Sequence, residues 1–175
     1  MKRSDKKIQN IITRYLILIA TAFPNFYIFY LIFTPLTIYS SYFLLDLFFD
    51  ANLFGNVISI SGCFPIEIVE ACVAGSAYYL LFFLNLSTPK IKIKKRIQML
   101  SFAFSVLFLV NILRIFFLSI LFIYQSKYFD ITHNIFWYFV SIILVIGIWF
   151  WEIKIFKIKE IPVYSDLKFL KKQIK

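Results

Sequence analysis

Four apolar runs, at about 15–33, 71–87, 98–124 and 135–151, are each long enough to cross or nearly cross a bilayer as a helix, and nothing else in the chain restricts its fold so strongly. Between the runs lie only short polar or basic segments and one longer stretch, 34–70. A hydrophobic share of 61% with 16% charged residues lies well above the roughly 45–50% apolar content of a soluble domain. The chain therefore belongs in a membrane, and its many Phe side chains are expected to face lipid.

The formal charge of +10 is unevenly placed. Lys2, Arg3, Lys6, Lys7 and Arg14 precede or open the first run, and Lys90, Lys92, Lys94, Lys95 and Arg96 separate the second from the third. Seven lysines from Lys154 to Lys175 follow the fourth. The segments after the first and third runs hold only Lys127 against Asp46, Asp50, Glu67, Glu70 and Asp130. By the positive-inside rule both termini and the loop 88–97 are cytoplasmic, and 34–70 and 125–132 face outward. The basic charge is thus a topology signal, and a nucleic-acid partner is excluded as its cause.

Residues 36–48 are apolar but short and contain Asp46, and a fifth crossing would place the basic loop outside, so they read as an outer interfacial helix. Ala20-Thr21-Ala22 has the form of a signal-peptidase site, yet Arg14 shortens the apolar stretch before it and hydrophobicity resumes after Pro24, which favours an uncleaved first span. Between 50 and 72, Gly55-Asn56 and Ser61-Gly62 are turn signals flanking Val57–Ile60, with a second short run at Ile66–Val69, the pattern of a small β element. The fold class expected is an all-α integral membrane protein. It is one domain over 1–175 with about four transmembrane helices, an outer interfacial helix and small β element between the first and second, and a cytoplasmic basic tail, 152–175. The sequon Asn85-Leu86-Ser87 should stay unmodified if the second span ends inside.

Ionisable groups inside apolar runs mark candidate sites. Arg114 lies in the outer half of the third run, and Asn111, three residues earlier, shares its helical face, with Ile115 and Leu118 closing that face and Ser119 to its side. Left to itself, such an arginine would snorkel to outer head groups or pair with Asp130 or a glutamate. His133, the one histidine, opens the fourth run from the outside, with Thr132 as a helix cap and Trp137 and Ser141 continuing its face. Cys72 opens the second run at the same level, where a helix N-terminus stabilises a thiolate. A disulfide to Cys63, nine residues upstream, is the competing use of that thiol. One His and two Cys offer no zinc or copper ligand spacing, and no cofactor motif is present.

Cys72, Arg114 and His133 come from three separate helices yet are all placed near the outer leaflet. A nucleophile, a proton carrier and a cation for a developing oxyanion are the parts of an acyl-transfer site. The order of Ala71-Cys72-Val73-Ala74-Gly75, then Asn111 to Arg114, then His133 opening the last span resembles the exosortase/archaeosortase family of membrane transpeptidases, in its archaeal branch and a short form. The resemblance covers about 66–141; Val73 stands where the bacterial branch usually has Ser, and four spans are fewer than in longer members. It implies catalytic roles for Cys72, Arg114 and His133, with Asp130 a candidate to orient the histidine. It also implies cleavage of a C-terminal sorting signal, with hydrophobic tail and basic end, on secreted surface proteins, and transfer to a lipid or other acceptor. The alternative is a non-catalytic small membrane or lipid-binding assembly subunit with a Cys63–Cys72 disulfide.

Overall fold

The computed structural model describes residues 2–60 and 65–174. Its elements are α1 (Lys2–Ala22), α2 (Tyr27–Asp46), β1 (Ala51–Phe54), β2 (Val57–Ile60), β3 (Ile66–Glu67), α3 (Glu70–Val73), α4 (Gly75–Leu86), α5 (Ile93–Ile123), α6 (Phe129–Ile135), a π turn (Phe136–Val140), α7 (Ser141–Phe156) and α8 (Tyr164–Ile174). Among the described residues three helical stretches are long and apolar enough to cross a membrane: Tyr27–Asp46, Ile93–Ile123 and Phe129–Phe156. Glu70–Leu86 is apolar but shorter. At most 28% of each long apolar window is buried, so side chains such as Leu109, Phe117, Phe139 and Ile143 stand exposed, as lipid-facing residues would.

The first span expected at 15–33 does not form. Helix α1 stops at Ala22, and Asn25 and Phe26 turn the chain in left-handed backbone before α2 begins. Pro24, which has no N–H to donate, ends the first helix, whereas Pro35 sits inside the second. The outer interfacial helix expected at 36–48 is the second half of α2, and Asp46 lies at its C-terminal end. The second run is likewise broken, by Ala74 at φ 61, into α3 and α4.

The β element forms as read and gains a strand. β1 and β2 make an antiparallel hairpin in which Ala51 pairs with Ile60 and Phe54 with Val57, and Gly55 at φ 65 with Asn56 supplies the two-residue turn. β3 joins β2 on its other side, pairing Ile66 with Ile58. Ile58 and Ile60 point into an apolar cluster with Leu45 and Ile115, which fixes the sheet against the ends of α2 and α5. The turn at Ser61-Gly62 lies outside the described residues.

The larger core packs α2, α4, α5 and α7 around Tyr78, Met99, Ala103 and Ile148. Tyr78 stacks on Phe33 with centroids 3.6 Å apart, and Phe104 meets both edge-on. Gly75 permits the close approach of α2 to α4: a Cβ there would lie 2.6 Å from the Tyr30 ring. At the opposite end of the bundle from the sheet, polar groups knot the helices together. The Arg14 guanidinium pairs with both oxygens of Asp166 at 2.9 and 2.7 Å and donates to the Leu86 carbonyl. Arg96 donates to the Asn85 and Thr88 carbonyls, capping the C-terminus of α4. Asn85 and Glu152, both fully buried, are joined at 2.6 Å.

Candidate functional site

The site is built around a helix break. An alanine at φ 61 pays about 1–2 kcal/mol for its left-handed backbone, so the conformation is held by its surroundings. The break takes Cys72 out of the ladder of α4 and leaves its carbonyl for partners on another helix. Asn111 donates its Nδ2 to that oxygen at 2.8 Å, and Arg114 donates Nη2 to it at 3.4 Å. Both donors sit three residues apart on one face of α5, so the polar pair read from sequence meets the main chain of Cys72 and not a carboxylate. The N-terminal dipole of a long helix, expected to favour a thiolate at Cys72, is absent because α3 is a single turn ending at Val73.

Arg114 is also held from the side, by Nη1 donating to Ser141 Oγ at 3.2 Å. The Ser141 hydroxyl in turn donates to the Phe136 carbonyl at 2.7 Å, within the π turn. His133 lies one turn before that π turn on α6, its ring stacked parallel on Phe129 with centroids 5.6 Å apart and tilted against Trp137 at 6.1 Å. Two aromatic rings thus flank the imidazole.

Cys72, Arg114 and His133 line one cavity of about 290 Å³. Its remaining wall comes from β3 and the segment after it, Ile66 to Val69, and from apolar side chains including Leu118, Phe122 and Trp137. Ile115, Leu118 and Ser119, the residues flanking Arg114 on its face, all contribute. The lining is mostly apolar with few polar groups converging, the usual character of a ligand pocket. A second, wider groove of about 600 Å³ adjoins it along α4 and α7, sharing Ala71, Arg114 and Trp137.

Cys72 is half-buried and has no disulfide partner among the described residues. Cys63, its partner in the alternative disulfide, lies outside the described residues. Asp130 does not line the cavity, and no hydrogen bond joins it to His133 among the described residues. No group of three His, Cys, Asp or Glu side chains that could hold a metal occurs among the described residues. Ser141 was legible only as a continuation of the histidine's face, and the anchoring role of Asn111 carried no sequence signal beyond its spacing from Arg114. Comparison with family models, with curated proteins and with solved structures finds no match.

Proposed function

We propose that the chain is a membrane cysteine transpeptidase that cleaves a C-terminal sorting signal on secreted surface proteins and transfers them to a lipid or another acceptor. The observation that carries this reading is the convergence of Cys72, Arg114 and His133, from three helices, on one cavity. The resemblance of the Ala71-Cys72, Asn111-to-Arg114 and His133 motifs to the exosortase/archaeosortase family supports it and supplies the substrate class.

In the proposed cycle His133 takes the Cys72 proton as the sulfur attacks the scissile carbonyl. Arg114 stabilises the resulting oxyanion, and His133 returns the proton to the leaving amine as the thioester forms. His133 then deprotonates the acceptor nucleophile, which displaces the sulfur; water in that role makes the product a free acid. The substrate's apolar tail lies beside the spans with its basic end in the cytoplasm.

The positive-inside rule supports a multi-pass protein of the cell membrane with cytoplasmic termini and the cavity facing outward. With α2 in place of the first expected span, the proposed orientation is kept if the shorter apolar helix Glu70–Leu86 serves as the second pass before the basic loop 88–97. The deciding experiment tests Cys72→Ala, Arg114→Ala and His133→Ala separately for processing of a co-expressed surface protein bearing a hydrophobic tail and basic end. Each substitution should abolish processing; normal processing in all three overturns the proposal.

A further inference from the structure

The π turn changes which residues share a face of the last long helix. His133 and Ser141 are eight residues apart, which in an unbroken α-helix puts them about 80° from each other around the axis. One extra residue absorbed in Phe136–Val140 reduces that offset to about 20°. The two residues thereby fall on nearly the same side of the helix, His133 on the cavity and Ser141, where Arg114 meets it, on the adjoining groove.

Serine in a membrane helix ordinarily returns its hydroxyl to a carbonyl of the preceding turn. Ser141 does so and also accepts from Arg114, forming a relay from guanidinium to hydroxyl to the Phe136 carbonyl. That carbonyl has a second donor, the Ser141 N–H, so it keeps a partner without the hydroxyl. The group that loses its partner is Arg114 Nη1, leaving the guanidinium only its 3.4 Å contact to the Cys72 carbonyl.

We infer that Ser141 is a positioning residue that ties the orientation of the Arg114 guanidinium to the helical turn presenting His133. The inference rests on the transpeptidase reading for its catalytic meaning, but the geometric tie does not. Loss of the hydroxyl should spare the fold and loosen the cation beside the nucleophile. The other titratable groups nearby are Glu67 and His133 in the cavity and Glu70 and Tyr30 in the adjoining groove, and none of them is hydrogen-bonded to Ser141 or Arg114 among the described residues.

Two measurements on the intact chain separate these ideas. One is processing of the tailed reporter; the other is the rate of Cys72 alkylation by iodoacetamide at one fixed pH, resolved by peptide mass spectrometry. For Ser141→Ala we expect processing to fall by about 10-fold, less than the roughly 100-fold or more of losing an oxyanion donor outright, because Ser141 acts only through Arg114. We expect its alkylation rate to rise severalfold, because a loosened guanidinium leaves the turn that carries the half-buried thiol held by Asn111 alone. Ser141→Thr, which retains the hydroxyl, should restore both. An alkylation rate for Ser141→Ala that matches wild type overturns the positioning role, as does Thr behaving like Ala. A reporter left uncut by the wild-type protein overturns the transpeptidase reading instead, while a changed alkylation rate would still support the tie.

Discussion

Asn111 Nδ2 lies 2.8 Å from the carbonyl oxygen of Cys72, so the residue bearing the thiol is fastened through its main chain by a side chain from α5. Asn111 is itself buried, which makes the bond costly to lose.

Asn111→Ala removes the shorter of the two donors to that carbonyl. Leaving a buried polar group short of a partner typically costs about 1–3 kcal/mol, so the thermal midpoint in detergent should fall. Processing of a tailed reporter should fall as well. Asn111→Gln, with the same amide on a longer arm, should recover more stability than Asn111→Asp, which has no donor when ionised.

Arg114→Lys keeps the charge but should not keep activity. The guanidinium reaches Ser141 and the Cys72 carbonyl at once with a planar fork, and a single ammonium does not reproduce that span. Reporter processing should drop by about 100-fold or more, as when one stabilising donor is lost, with protein levels in the membrane unchanged.

Gly75→Ala puts a methyl into the Tyr30 ring, whose nearest carbon stands 2.6 Å from where the new Cβ would sit. Overpacking of this kind typically costs about 1–3 kcal/mol, which a thermal unfolding series would register. Tyr30→Leu in the same chain should relieve most of the penalty; a non-additive double mutant would establish the contact as its cause.

Arg14→Ala strands the Asp166 carboxylate, whose side chain is 5% exposed. Breaking one side of a buried pair is more damaging than replacing both, so Arg14→Ala should destabilise by about 3 kcal/mol and Arg14→Leu with Asp166→Leu by less. Limited trypsin digestion near Lys168 and Lys171 should report release of α8 before global unfolding.

Much of the site was legible because ionisable residues in apolar runs are few, and charge asymmetry alone placed Cys72, Arg114 and His133 at one level. The small β element was legible from the turn signal Gly55-Asn56 and the alternation at Val57–Ile60, but its first strand, Ala51–Phe54, was not, because that stretch carries no clear alternation. Less visible were the helix boundaries. Pro24 and Pro35 look alike in the sequence, yet one ends a helix and the other is carried inside one, because neighbouring packing decides the cost. The break at Ala74 was hidden by alanine's high helix propensity, with Gly75 beside it the only local hint. The knot of Asn85, Arg96 and Glu152 was hidden because its members are far apart in the chain and fall in different runs or loops.

The break at Ala74 also sets an order of assembly. Helix α3 is one turn long and draws its anchors from residues 39 and 42 positions later in the chain. A nascent chain that has inserted only its first passes therefore carries an unmoored thiol. The turn that carries Cys72 gains both of its side-chain anchors only when α5 docks, so its final placement comes with tertiary packing and not with the formation of α3 itself.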